Sequence, residues 1–228
     1  MGVILGIEST AHTFSFGAVS SDGKDVLASH SSLYRPEEGG IHPREAADHH
    51  VESSRTLLER AILDWNVVKS DIDAVAFSQG PGLGPCLRVG GSVARSISMA
   101  LNIPLIGVNH CVAHIEIGRR MTGCIDPVLL YVSGGNTQVI ARASGRYRVL
   151  GETLDIGIGN MLDKFGRAIG IPFPGGPEIE RKAQSYIQNY GSDHILDLPY
   201  AVHGTDMAFS GILLSLIHIS EPTRPSSI

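Results

Sequence analysis

The chain has 228 residues, 43% of them hydrophobic and 18% charged, a globular balance that allows one large domain or two small lobes. A net charge of −5 excludes a chain-wide basic field for nucleic acid or acidic lipid, while leaving room for a local basic patch. Three unpaired-looking cysteines and no run near the roughly 18 apolar residues of a span argue against a disulfide scaffold or a membrane protein; a cytoplasmic chain is expected.

Val3 to Ile7 is a short apolar run, too short and without the basic residues of a signal peptide, and the polar turn Glu8-Ser9-Thr10-Ala11 follows. Thr13 to Ser20 alternates with period two, Asp22-Gly23 signals a hairpin, and Val26 to Ser32 returns, which predicts a three-stranded meander. Arg35 to Pro43 reads as a loop. Arg44 to Trp65 carries a helical period through Ala46, Ala47, Val51, Leu57, Leu58, Ala61 and Ile62, with His42, His49 and His50 expected on the surface or in loops. Ala74 to Phe77 is a buried strand, Gly80 to Pro85 a rigid turn, Val89 to Leu101 a helix of small residues and Pro104 to Val108 a strand. Asn109 is the N-cap of a helix that contains His110 and His114.

After Pro127 the opening pattern recurs. Strands are predicted over 128–133, 138–143 and 147–150, with glycine turns at Gly134-Gly135 and Gly145, then a helix over 158–169. Residues 171–177 form a loop, Glu178 to Tyr190 a short helix, and 199–211 a loop and strand. The repeat suggests two related lobes, 1–125 and 126–213. From Ser215 onward neither a helix nor a strand-turn unit continues, so 214–228 is expected to be a non-native tail.

Five segments could carry chemistry. His110 and His114, four residues apart on a helix, share a face and could reach one metal ion, or could simply cover a helix surface. The zinc-protease pattern needs Glu after the first histidine, and Cys111 stands there, so peptide hydrolysis is disfavoured. Tyr131-Val132-Ser133-Gly134-Gly135-Asn136 runs a strand into a turn whose bare glycines let backbone N–H groups meet an anion; an ordinary hairpin is the alternative. Gly80 to Gly84 precedes a helix but lacks the Gly-Lys-Ser/Thr ending of a P-loop, and a tight connection is the better reading. Asp163, followed by Gly175-Gly176 and Glu180, suits ribose hydroxyls or forms a solvated helix face. Glu8-Ser9-Thr10 is a phosphate-facing loop or a capped turn. Arg119-Arg120 could touch RNA phosphate but is more simply structural or solvated. No Ser–His or Cys–His pair offers a nucleophile.

In one order the chain also carries Gly6-Ile-Glu-Ser-Thr-Ala11, Gln79-Gly-Pro-Gly-Leu-Gly84, Val108-Asn-His-Cys-Val-Ala-His-Ile-Glu116, Tyr131-Val-Ser-Gly-Gly-Asn-Thr-Gln138, Gly151-Glu-Thr-Leu-Asp-Ile156, Gly159-Asn-Met-Leu-Asp-Lys-Phe165 and Phe209-Ser-Gly-Ile212. Over residues 3 to 213 this series resembles the tRNA N6-adenosine threonylcarbamoyltransferase family, the catalytic subunit of the KEOPS complex, in its archaeal and eukaryotic branch. The resemblance implies an α/β fold of the actin/Hsp70/sugar-kinase type, two ribonuclease-H-like lobes with the second incomplete. It implies a single divalent ion, iron or zinc, on His110, His114 and Tyr131. Tyr131, Val132, Ser133, Gly134, Gly135, Asp163, Gly176 and Glu180 would contact threonylcarbamoyl-AMP. Partners would be tRNA and KEOPS subunits including a small atypical kinase. The family's further Asn and metal-binding Asp have no counterpart here, which implies little transfer activity for this chain. The rival readings are a small-molecule kinase or ATPase of the same fold and a non-catalytic scaffold subunit.

Overall fold

The computed structural model describes residues 2–36, 40–64, 68–192 and 195–220. The chain divides into two compact units, Met1–Glu116 and Ile117–Ile228.

Unit 1 is a five-stranded sheet of β1 (Val3–Glu8), β2 (Thr13–Ser20), β3 (Val26–Leu33), β4 (Ile72–Gly80) and β5 (Leu105–Asn109) in the order β3-β2-β1-β4-β5. The pairs β1–β2 and β2–β3 are antiparallel, and β1–β4 and β4–β5 are parallel. A meander followed by parallel crossover strands is the ribonuclease-H-like order. The parallel pairs need crossover helices, and α1 (Pro43–Asp64) and α2 (Gly84–Leu101) supply them. Alternation decides which face they cover. Val3, Leu5 and Ile7 of β1 and Phe14, Phe16 and Ala18 of β2 are buried. Leu5, Ile7, Phe14 and Phe16 form one core with Leu57 and Ala61 of α1, Val75 of β4 and Ala94 of α2.

Two expectations are corrected in this unit. His49 and His50 lie inside α1, and His50 is fully buried with its ring 5.4 Å from that of Phe14. The cause is its place on the apolar stripe of Ala46, Leu57 and Ala61, at spacings of four, seven and four. Helix α2 begins at Gly84 and not near Val89, because Pro85 sits in its first turn, where the missing N–H is no loss. Trp65 lies outside the described residues.

Helix α3 (His110–Thr122) begins in unit 1 and ends in unit 2. Unit 2 then opens with a second antiparallel meander, β6 (Leu129–Val132), β7 (Thr137–Ala143) and β8 (Arg146–Glu152), in sequence order. It is followed by α4 (Ile158–Ala168), α5 (Gly175–Tyr190), the two-residue strands β9 (Val202–His203) and β10 (Asp206–Met207), and α6 (Ser210–Ser220). Among the described residues this meander gains no parallel crossover strand of the β4 and β5 kind. The absence of helix beyond Ser215 is also corrected: α6 runs to Ser220. Leu213, Leu216 and Ile217, at i, i+3 and i+4, give it an apolar stripe that packs with Met161 and Phe209. Residues 221–228 lie outside the described set. No helix among the described residues is long and apolar enough to cross a membrane.

Candidate functional site

Chemistry-bearing side chains gather at the upper end of the unit 1 sheet. Strict alternation puts Glu8, the last residue of β1, on the face opposite Ile7. Its carboxylate accepts from the Thr10 N–H at 2.7 Å, and also from the Thr10 and Ser78 hydroxyls. Ser78 is delivered by β4, whose Phe77 pairs with Ile7. His110 Nδ1 lies 3.2 Å from the same carboxylate and 3.4 Å from Thr10 Oγ1. Burial pushes the Glu8 carboxyl up, but the bonds from His110, Ser78 and Thr10 outweigh it and hold it down at about 2. Ser9 and Thr10 are themselves buried, and the glycine segment makes room for them: a Cβ on Gly82 would sit 2.6 Å from the Thr10 carbonyl oxygen, which accepts from the Leu83 N–H. Gly80 to Gly84 is thus a tight connection packed on the Glu8 turn.

Asn109 caps α3 as expected, its side-chain oxygen accepting from the Val112 N–H at 3.1 Å. One turn apart, the His110 and His114 rings meet edge to face with centroids 4.5 Å apart. Burial, then the neighbouring His110, lowers the pKa of His114, which favours the neutral, metal-competent imidazole. The two imidazoles are the donors that unit 1 could offer a borderline divalent cation. Among the described residues no group of three His, Cys, Asp or Glu converges, so further donors would have to be of another kind, such as a phenol.

In unit 2 the organiser is α4. The N–H groups of its first turn all have partners: Ile158 donates to Thr137 Oγ1 at 2.9 Å, Gly159 to the Ser133 carbonyl at 3.2 Å and Asn160 to the Gly134 carbonyl at 3.1 Å. Ser133 and Asn136 close the turn between them, with the Ser133 N–H donating to the Asn136 carbonyl. Halfway along α4, Asp163 Oδ1 accepts from the Gly175 N–H at 2.8 Å and draws the start of α5 alongside. The turn at 133–135, Asp163 and Gly175-Gly176 are so brought together on one helix. Helix α5 begins at Gly175, three residues before the predicted Glu178, which places Gly176 in its first turn. Glu180 lies on α5, exposed and hydrogen-bonded by Gln184. Tyr131 is buried on β6, at 5% exposure, and Val132 points outward.

The sequence reading missed Ser78, whose signal was a lone hydroxyl in an apolar buried strand, and Gly157, and it gave no role of its own to Gly159. A Cβ on either glycine would meet the backbone of the 133–135 turn within 2.7 Å. It assigned no role to Asp155, which accepts from the N–H groups of Ile156, Phe209 and Ser210 and so anchors the start of α6. Arg119 donates to the Tyr147 hydroxyl at 3.2 Å.

The family model described as TsaD, tRNA N6-adenosine threonylcarbamoyltransferase, matches residues 25–221, a segment that takes in α6. The chain belongs to this family. It is 55% identical over 98% of its length to a probable bifunctional tRNA threonylcarbamoyladenosine biosynthesis protein of Thermoplasma volcanium, and spans 41% of that protein. It is 52% identical over 94% of its length to the tRNA N6-adenosine threonylcarbamoyltransferase of Thermococcus sibiricus, and spans 64% of it. The chain thus spans about two-fifths to two-thirds of the length of these relatives. Among solved structures, a Pseudomonas aeruginosa protein described as similar to peptidase YeaZ matches at TM-score 0.46 and 18% identity, over 67% of this chain and 66% of that one. Family membership carries the actin/Hsp70/sugar-kinase fold class, to which the strand order of unit 1 and the second meander conform.

Proposed function

We propose that the chain carries the adenylate- and metal-binding parts of an enzyme that transfers a threonylcarbamoyl group from threonylcarbamoyl-AMP to N6 of adenosine 37 in tRNAs reading codons that begin with A. The observation that supports this most is the gathering of the Ser133–Gly135 turn, Asp163 and Gly175-Gly176 by α4. Among the described residues, Gly134 and Gly135 donate no backbone hydrogen bond and both are exposed, so two adjacent N–H groups are left for a ligand, an arrangement suited to a phosphate. Asp163 spends one oxygen on Gly175 and keeps the other for a ribose hydroxyl, and Glu180 offers a second carboxylate.

In the proposed step the adenine N6 attacks the carbamoyl carbon, the bond from that carbon to the phosphate oxygen breaks, AMP leaves and the N6 proton passes to water. The residues of unit 2 orient the adenylate so that AMP is the leaving group. His110 and His114 would hold one divalent ion, iron or zinc, with the Tyr131 phenol as a further donor. A bound ion of this kind supplies Lewis-acid stabilisation of developing negative charge. The tRNA, and KEOPS-type partner subunits including a small kinase, belong to the same proposal. The names of the bifunctional relatives agree with a second activity on the same polypeptide in those proteins.

The test is equilibrium binding of AMP and of a non-hydrolysable threonylcarbamoyl-adenylate analogue. The wild-type chain should bind both, and Asp163→Ala should weaken binding at least about tenfold, the loss of one charge-assisted hydrogen bond. Turnover of ATP with a panel of sugars, without preference for the adenylate, would favour the small-molecule kinase reading instead.

A further inference from the structure

We propose that Glu8 is a positioning residue for the metal site: its carboxylate locks the Nδ1 side of His110 and leaves Nε2 as the atom that binds the ion. The inference rests on the metal reading above and deepens it. Four donors converge on this one carboxylate, and they come from separate parts of unit 1. Thr10 offers its N–H and its hydroxyl from the turn after β1, Ser78 its hydroxyl from β4, and His110 its Nδ1 from α3. A carboxylate bound on so many sides has a fixed position, set by the β1–β4 ladder rather than by its own rotamer. The side chain of Glu8 is one-third exposed and that of His110 18%, so the pair is shielded but not sealed from solvent.

An ionised carboxylate can only accept, so the hydrogen bond at 3.2 Å requires the proton to be on Nδ1. In its neutral form, the one that binds a metal ion, the ring then carries its lone pair on Nε2. A carboxylate behind a ligating histidine fixes the tautomer and the ring plane and makes the ring a stronger donor. Glu8 is not a ligand in this arrangement. Its oxygens are occupied by Thr10, Ser78 and His110, and it does not form a three-residue His/Cys/Asp/Glu cluster with His110 and His114. Ser78 and Thr10 act one step further out, by holding Glu8.

Two measurements on the 228-residue chain test this. The first is the imidazole nitrogen–proton NMR spectrum without added metal. Wild type should show His110 as the Nδ1–H tautomer, and Glu8→Ala should move it toward the mixed or Nε2–H form. The second is affinity for Zn²⁺ and Co²⁺ by competition with a chromophoric chelator, with the Co²⁺ ligand-field spectrum recorded. Glu8→Ala should lower affinity about 10- to 100-fold. Glu8→Gln, which keeps an acceptor and loses the charge, and Ser78→Ala, which only loosens the carboxylate, should each lower it by less. Circular dichroism establishes that each variant is folded; if Glu8→Ala is not, Glu8→Gln and Ser78→Ala carry the test. An unchanged tautomer together with unchanged affinity in the folded variants overturns the proposal. If His110→Ala and His114→Ala leave metal binding untouched, the metal reading itself fails, while the tautomer experiment still decides what Glu8 does to His110.

Discussion

Replacing Gly159 by Ala separates a helix glycine that serves the 133–135 turn from glycines that are merely tolerated. A Cβ at 159 would lie 2.6 Å from the Ser133 carbonyl oxygen, 2.8 Å from Gly134 Cα and 2.9 Å from Gly134 N, all of it backbone. Ordinary contact begins at 3.4 Å, so the turn must retreat by roughly 0.8 Å. The bond from the Gly159 N–H to that carbonyl is already 3.2 Å long and would be lost, which costs about 1 kcal/mol. Overpacking against backbone adds about 1–3 kcal/mol. The better helix propensity of alanine returns at most about 1 kcal/mol, and less at the second position of a helix. The balance is a destabilisation of about 1–4 kcal/mol. Gly118→Ala is the matched control, because Gly118 lies inside α3 and its Cβ would meet nothing within 4 Å. It should stabilise by about 0.5–1 kcal/mol. Urea unfolding with an unchanged slope measures both, and AMP binding should weaken in Gly159→Ala and hold in Gly118→Ala. A Gly159→Ala chain at least as stable as wild type, with adenylate binding intact, refutes the argument that α4 holds the turn.

Asp155→Ala leaves the Ile156, Phe209 and Ser210 N–H groups without their carboxylate and should cost about 1–2 kcal/mol, as the loss of a helix cap does. Burial raises the Asp155 carboxyl, but the three backbone bonds bring it down from 3.8 to about 2. Its contribution is therefore complete above pH 3.8 and lost as pH falls toward 2, so acid unfolding should be shallower in the variant. Burial lowers the pKa of His50 below 6.5, against a bond with the Ala11 backbone and the Glu8 charge that raise it; His49 and His12 lower it further. The unfolded chain then binds more protons just below pH 6.5, so stability should fall as pH drops through that value, and His50→Gln should flatten the fall in a urea titration. Leu213→Ala should destabilise by about 2–4 kcal/mol if α6 is part of the unit 2 core; a midpoint unchanged from wild type would show that the helix contributes nothing.

What the sequence made legible was whatever a one-dimensional pattern encodes. Thr13–Ser20 alternates, and every second residue of β2 is buried, because one sheet face is covered by α1 and α2. Asn109 was recognisable as a cap because the cap bond is local, 109 to 112. The failures are places where a distant partner decides. His50 looks like a surface residue by polarity, yet its spacing from Ala46, Leu57 and Ala61 puts it in the core. Ser78 gains meaning only once β4 lies parallel to β1 and its hydroxyl reaches Glu8. Asp155 and the first residue of α6 are 55 residues apart in sequence, and no periodicity links them. Leu213, Leu216 and Ile217 were obscured by Ser215, which stands between them, and by His218 and Ser220 after them.

The distribution of backbone donors bears on which part of unit 2 would meet an anion. A helix N-terminus is the usual candidate, since its first N–H groups lack intrahelical partners and its dipole favours negative charge. Helix α4 does not offer that terminus to a ligand: Ile158, Gly159 and Asn160 give their N–H groups to Thr137, Ser133 and Gly134. Drawing the Ser133 and Gly134 carbonyls onto the helix points the N–H groups of the same trans peptides the opposite way, and these are the uncommitted donors of Gly134 and Gly135. The positive end of α4 thus acts through the turn it holds. This explains why glycine is needed on both sides of the contact. Gly157 and Gly159 let the helix approach the turn, and Gly134 and Gly135 keep the turn's outer surface bare. A side chain on the helix side should displace the turn and weaken adenylate binding together with stability. A small side chain at Gly135, where a Cβ meets nothing within 4 Å, should weaken binding while leaving the unfolding midpoint where it was. Equal losses of stability from Gly159→Ala and Gly135→Ala would contradict this division of labour.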